Sequence, residues 1–173
     1  MIKRWFSRRK PAQLQVLMIC MGNLCRSPMA EAVLRGKLLK AGLAEQVLVD
    51  SAGTHGFKRG TPADPRAVSQ AALRGYQVKG LKSRPVVDAD FNGFDLVLAM
   101  DSGNLATLYE RCPVGERHRL GLLLSYAAPT PAGSASQEVP DPYFGGVAGF
   151  DRALDLIEPA CDGLLVALQQ RLR

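Results

Sequence analysis

The sequence predicts an α/β fold: a single three-layer domain in which a central four-stranded parallel sheet carries helices on both faces. Three observations predict it. Short apolar runs alternate with stretches of helical periodicity along most of the chain, the first apolar run passes through a tight loop straight into a helix, and no internal repeat points to another architecture.

Leu14 to Ile19 (LQVLMI) is largely apolar and reads as a buried strand. The following PMAEAVLRGKLLKAG carries apolar residues at helical spacing, with Ser27 suited to the N-cap, Pro28 to the first helical position and Gly42 to the C-terminal stop. Gln46 to Val49 reads as a second strand and Pro65 to Tyr76 as a helix. Phe94 to Met100 reads as a third strand, Ser102 to Arg111 as a helix, and Leu120 to Leu124 as a fourth strand or its approach. Ser125 to Val139, rich in Ala, Pro and Ser, reads as a long surface loop that brings Asp141 back over the first loop. A helix from Val147 to Leu172 is expected to be interrupted near Pro159. Ligands of parallel sheets bind beyond the carboxyl ends of the strands, which is where the loop after Ile19 would lie.

That loop, Cys20-Met-Gly-Asn-Leu-Cys-Arg26-Ser27-Pro28, puts a thiol and a guanidinium at the two ends of a strand-to-helix turn. Its backbone N–H groups and the helix N-terminus would converge on an anion, so Met21, Gly22, Asn23, Leu24, Cys25, Arg26 and Ser27 are candidate phosphate-binding residues. The nucleophile would be the Cys20 thiolate, the form that helix N-termini and neighbouring cations favour. Arg26 offers a planar fork matched to two phosphate oxygens, and Ser27 can donate to the sulfur. Gly22 allows a tight curl, and Asn23 can brace the loop through its amide. A lone cysteine is ordinarily a small buried hydrophobe, but here spacing, turn, helix start and preceding strand coincide.

The chain has 173 residues and a formal net charge of +6, enough for one domain with a core of ordinary size. Residues 1–13 are expected to form a mobile basic arm and 14–173 the domain. Much of the basic excess sits in Met1 to Lys10, where Trp5 and Phe6 could touch a membrane surface. Elsewhere no basic stripe interleaves with aromatics, so nucleic acid is not the expected partner. No apolar run has the length of a membrane span, and the N-terminus lacks the apolar segment of a signal peptide, so a cytoplasmic protein without stable membrane insertion is expected. Its four cysteines then read as reduced thiols. Cys112 and Cys161 are isolated, and neither His55 nor His118 has ligand spacing, so no metal or other cofactor is expected. Asp141, in a Pro-rich loop, is by itself as compatible with a turn residue as with an acid.

Cys20 to Pro28 resembles the signature loop of the low-molecular-weight protein tyrosine phosphatases. The resemblance continues in Asp50-Ser-Ala-Gly-Thr54, Ala63-Asp-Pro-Arg66, Ala99-Met-Asp101 with Asn104, and Asp141-Pro-Tyr-Phe144, and runs from about Val16 to the C-terminus. It implies hydrolysis of phosphotyrosine through a phosphocysteine on Cys20, with Arg26 binding phosphate and Asp141 as general acid and then general base. It also implies that Leu24, Phe57 and Tyr143 form the substrate slot and that Ser51 helps hold Asn23. Cys25, on the same loop, is expected to be the redox partner that captures an oxidised Cys20. Phe57 and Tyr143 could by composition be ordinary loop aromatics, and the role of Asp101 does not follow from the sequence. Many members carry a His where this chain has about Leu81, which implies a rearranged support for Asn23. Phe144 implies the absence of a tandem-tyrosine site.

The chain looks like a bacterial member, whose partners would be phosphotyrosine proteins, including an autophosphorylated tyrosine kinase of polysaccharide export. Three rivals stand beside that expectation. An arsenate reductase on the same fold needs further cysteines placed to relay a disulfide, a protein-arginine phosphatase tends to carry Thr where this chain has Leu24, and a silent phosphopeptide-binding module needs neither thiolate nor acid.

Overall fold

β1 (Leu14–Cys20) runs through the middle of a four-stranded parallel sheet of order β2-β1-β3-β4, flanked by β2 (Val47–Gly53) and β3 (Leu96–Ala99), with β4 (Leu120–Leu122) beyond β3. The computed structural model describes residues 12–56, 58–128 and 137–173. Successive side chains of a strand point to opposite faces. Val16, Met18 and Cys20 enter a core shared with α1 (Arg26–Lys40), α2 (Pro65–Leu73) and α5 (Val147–Arg171), while Leu17 and Ile19 enter a second core with Phe91 of α3 (Asp88–Gly93) and Leu108 of α4 (Ser102–Arg111). A strand buried on both faces must be apolar almost throughout, which is why LQVLMI shows no alternation. Because β1 is flanked by β2 on one side and β3 on the other, the carboxyl end of β1 opens at the point where the strand order reverses, the usual position of a ligand crevice in such sheets.

The expected strands and helices are present, with several corrections. Ser27 is not the N-cap of α1. Cys25 occupies that position without a side-chain cap bond, and Ser27 and Pro28 are the second and third helical residues. Proline remains tolerated there because first-turn N–H groups have no intrahelical acceptor. α1 ends as expected, with Gly42 in the left-handed region at φ 72°. The fourth strand covers only Leu120–Leu122 before the chain tightens into a 3-10 turn at Leu123–Tyr126, and α2 stops at Leu73. α3 and a 3-10 turn at Val114–Arg119 have too few residues to show a periodic pattern.

α5 runs unbroken through Pro159. An interior proline costs about 3 kcal/mol. Here it lies on the exposed face, and about five turns' worth of burial on the opposite face, from Phe150 and Leu154 through Ile157 and Cys161 to Leu168, keeps the helix on the sheet. Of the expected arm, residues 1–11 lie outside the described residues, as do 129–136 of the long loop.

Gly163 marks the closest approach of α5 to the turn after β4: a Cβ there would sit 1.8 Å from the Tyr126 carbonyl oxygen and 2.9 Å from its carbon. An exposed helical Gly→Ala change ordinarily gains up to about 1 kcal/mol. Gly163→Ala is expected instead to destabilise by about 2 kcal/mol or more, within the range for overpacking, lowering the melting temperature by several degrees. Calorimetry of the two proteins decides the sign.

Candidate active site

The loop between β1 and α1 is folded around Asn23. This residue is 2 % exposed and, alone among the described non-glycine residues, has positive φ (55°). The left-handed region is unfavourable for a side chain, and Asn adopts it most readily because its amide can bond locally. Nδ2 of Asn23 donates to Ser27 Oγ and to Ser51 Oγ, both at 2.9 Å, and its Oδ1 accepts from the Arg84 N–H at 2.9 Å. Ser51 Oγ in turn donates to the buried Glu31 at 2.5 Å. Burial pushes the Glu31 carboxyl up, against the Ser51 hydrogen bond and the Arg35 charge that pull it down. The loop backbone lies on β2: Thr54 donates to the Cys20 carbonyl at 2.9 Å and His55 to the Met21 carbonyl at 3.0 Å. Gly53 makes this possible, since a Cβ there would lie 2.7 Å from the Met21 oxygen.

At the base of the loop Cys20 is 3 % exposed, with Sγ 3.1 Å from Ser27 Oγ. The hydroxyl that the sequence suggested as a helix cap therefore serves the sulfur. Arg26, 2 % exposed, brings its guanidinium to three acceptors: Nη1 donates to Asp101 Oδ2 at 2.5 Å and to the Val139 carbonyl at 3.1 Å, and Nη2 donates to Asp141 Oδ2 at 2.8 Å. Burial opposes the charge, but the Cys20 sulfur and the Asp101 and Asp141 carboxylates outweigh it and raise the guanidinium's proton affinity further. Cys20, Met21, Gly22, Leu24, Cys25 and Arg26 line a cleft of about 220 Å³, closed on its other side by Asp141, Tyr143 and Phe144.

The loop, Asp141 and Tyr143 thus meet in one cleft although 115 residues separate Arg26 from Asp141. Cys25 lies in the same cleft, its thiol pushed up to about 12 by burial and then by the charges of Asp64, Cys20 and Asp141. Phe57 lies outside the described residues. Cys112 and Cys161 are buried in the two cores, away from the cleft. Among the described residues, no group of three or more His, Cys, Asp and Glu is arranged to hold a metal ion.

Three contributors were not legible. Asp101 caps α4, accepting from the Asn104 N–H at 2.6 Å through Oδ1 while Oδ2 holds Arg26. The Asn104 amide, oriented by its hydrogen-bond pattern, donates to both oxygens at 3.1 Å, which explains the Asp101-x-x-Asn104 pairing. Glu31 sat in the sequence as an ordinary polar position of α1. Arg84 is pinned by Asp50 (2.8 Å) and Asp90 (2.9 Å), so the backbone that binds Asn23 is itself fixed, and both ends of the Asn23 amide are occupied.

The family model for low molecular weight phosphotyrosine protein phosphatases matches residues 15–173. A low molecular weight protein-tyrosine-phosphatase of Streptomyces coelicolor is 40% identical over 158 residues, covering 91% of this chain and 94% of the relative. The crystal structure of a protein tyrosine phosphatase from Entamoeba histolytica with Hepes in the active site superposes with a TM-score of 0.86 at 39% identity, covering 92% of this chain and 99% of that one. The crystal structure of YfkJ from Bacillus subtilis gives a TM-score of 0.84 at 32% identity, with 94% and 98% covered. With a matching model over nearly the whole chain, and a strand-to-helix loop that holds a buried cysteine and arginine in one cleft with an aspartate, the chain belongs to the low molecular weight phosphotyrosine protein phosphatase family.

Proposed function

We propose that the chain hydrolyses phosphotyrosine in proteins by two displacements through a phosphocysteine on Cys20. The observation that carries this reading is the convergence of the Cys20 sulfur, the Arg26 guanidinium and the Asp141 carboxylate on one cleft. In the first displacement the Cys20 thiolate attacks phosphorus, the S–P bond forms as the P–O bond to the ring breaks, and Asp141 gives its proton to the departing phenolate oxygen. In the second, Asp141 takes a proton from water as that water attacks phosphorus, releasing phosphate and the thiolate. Ser27 Oγ, 3.1 Å from the sulfur, donates to it in both steps and steadies it as a leaving group. The residues of the loop, Met21 to Ser27, bind the phosphate oxygens.

Arg26 Nη1 is committed to Asp101 and Val139, whereas Nη2 holds Asp141. A phosphate bound to Nη2 would replace the Asp141 carboxylate there, so substrate binding would release the acid toward the leaving oxygen. Asp141 can move in this way because its side chain is 41% exposed. Leu24 and Tyr143 form the slot, and the family resemblance supports Phe57 as its further wall. The family resemblance supports phosphotyrosine proteins as partners, an autophosphorylated bacterial tyrosine kinase of polysaccharide export among them, and a cytoplasmic location. No helix among the described residues is long and apolar enough to cross a membrane. We place the catalytic unit at residues 14–173, with the basic arm outside it.

A sulfur this deep is reached by phosphate on a long flat ring but not by phosphoserine, whose short side chain would drive backbone into the rim. Phosphoarginine would leave guanidinium N–H groups unpaired against Leu24, a penalty on the order of 1–3 kcal/mol. Wild type should therefore favour phosphotyrosine peptides over both in kcat/KM, and Leu24→Thr should narrow the gap to phosphoarginine. A wild type that favours phosphoarginine would overturn the assignment.

Asp141→Ala should be selective in its damage. For phenyl phosphate we expect a loss in kcat/KM of about 10²-fold or more, the usual yield of a positioned acid, and for a good leaving group such as p-nitrophenolate a loss of about tenfold or less. The check is the slope of log kcat/KM against leaving-group pKa. Equal slopes in mutant and wild type would place the acid elsewhere.

A further inference from the structure

Asp141 and Tyr143 belong to a segment with little regular structure of its own. Residues 141–146 form no helix or strand, Phe144 is 98% exposed, and Gly145 donates only a local turn bond, to the Pro142 carbonyl at 3.0 Å. Proton transfer nevertheless demands a carboxyl placed to within fractions of an ångström. Something outside the segment must set that position.

Arg66, in the first turn of α2, is built to do so. On one side its Nε and Nη2 engage Asp64, at 3.0 Å to Oδ1 and 2.8 Å to Oδ2. On the other side Nη1 donates to the Gly145 carbonyl at 2.8 Å and Nη2 to the Tyr143 carbonyl at 3.0 Å. The guanidinium carbon lies 4.6 Å from the ring centre of the buried Phe150, which fixes the plane of the fork. Asp64 is itself anchored to the phosphate loop, because its N–H donates to the Leu24 carbonyl at 2.8 Å. The Arg66 hydrogen bond lowers the Asp64 carboxyl and so favours its ionised form. A continuous run of bonds thus leads from Leu24 through Asp64 and Arg66 to Tyr143, whose own N–H donates to Asp141 Oδ1 at 3.1 Å.

We propose that Arg66, fixed by Asp64, is a positioning residue for proton transfer, setting the height of Asp141 and Tyr143 over Cys20 by tying the acid segment to the phosphate loop. This rests on the reading of Asp141 as the general acid. A lysine cannot replace Arg66, since one ammonium on a flexible stem does not hold a carboxylate and two carbonyls in a single plane. A purely electrostatic contribution, by contrast, would survive that exchange.

The test compares wild type, Arg66→Lys, Asp64→Asn and Asp141→Ala over a series of aryl phosphates, reading the slope of log kcat/KM against leaving-group pKa. Arg66→Lys and Asp64→Asn should both shift the slope toward that of Asp141→Ala, phenyl phosphate losing about tenfold more than p-nitrophenyl phosphate, part of the ~10²–10⁴ a positioned acid supplies. Vanadate affinity, which reports the phosphate loop, should stay near wild type. A wild-type slope in the folded variants, or a uniform loss across the series, overturns the proposal. If Arg66→Lys does not fold, Asp64→Asn decides alone: Asp64 is the N-cap of α2, its Oδ1 accepting from the Arg66 backbone N–H at 2.8 Å, and Asn caps as well. A shifted Asp141→Ala slope with unshifted Arg66→Lys and Asp64→Asn slopes overturns only this inference, whereas an unshifted Asp141→Ala slope overturns the acid assignment beneath it.

Discussion

The site depends on one buried side-chain amide. Asn23 holds the backbone in a conformation that most residues avoid, and it is kept there because each end of its amide is occupied: Ser27 and Ser51 at the nitrogen, the Arg84 N–H at the oxygen. Buried polar networks are favourable when complete and costly when one member is missing. Completeness here reaches outward through Glu31 behind Ser51, and through Asp50 and Asp90 around Arg84. The same amide orients Ser27, and Ser27 faces the Cys20 sulfur. Loop shape and the surroundings of the Cys20 sulfur therefore have a common cause.

Arg26 supplies the second constraint, joining parts of the chain that the sheet leaves side by side. Asp101 follows β3 and Asp141 follows the long loop, and both carboxylates reach the guanidinium at the end of β1. Asp101 is doubly committed, one oxygen to the start of α4 and the other to Arg26, so the arginine is registered against the fold itself. Asp141 is committed only once to Arg26 and is far more exposed than its partner. That asymmetry suits the proposed exchange, in which Asp141 stays in reach while changing partners. Removing one member of a buried ion pair leaves an uncompensated charge, which costs about 3–5 kcal/mol. Asp101 falls under that constraint more than Asp141 does.

Much of this was readable in the residues. The largely apolar run at Leu14–Ile19 announced a strand covered on both faces, α4 has the expected bounds Ser102–Arg111, and the loop from Cys20 to Arg26 joins strand to helix as its spacing indicated. The misreadings share a cause, since each depends on contacts between distant segments. Ser27 has the chemistry of a cap, but tertiary structure places it second in the helix and gives its hydroxyl to sulfur. Pro159 has the chemistry of a helix breaker, but it lies on the solvent side of a helix whose other face is packed too extensively to part. The burial of Glu31 and the double duty of Asp101 follow from partners 20 and 75 residues away, which no local pattern displays. Gly53 and Gly163 were likewise invisible as close approaches until their neighbours were in place.

The account stands or falls on the Cys20 sulfur carrying the phosphoryl group. Wild type mixed with an aryl phosphate should be quenched in acid within a single turnover, digested and mapped by mass spectrometry, with Cys20→Ser treated identically. A phosphorylated peptide whose modification lies on Cys20 in the wild type, absent from Cys20→Ser together with turnover, is the predicted result. Turnover persisting in Cys20→Ser, or a trapped phosphoryl group on Cys25 or Ser27 instead, would contradict it.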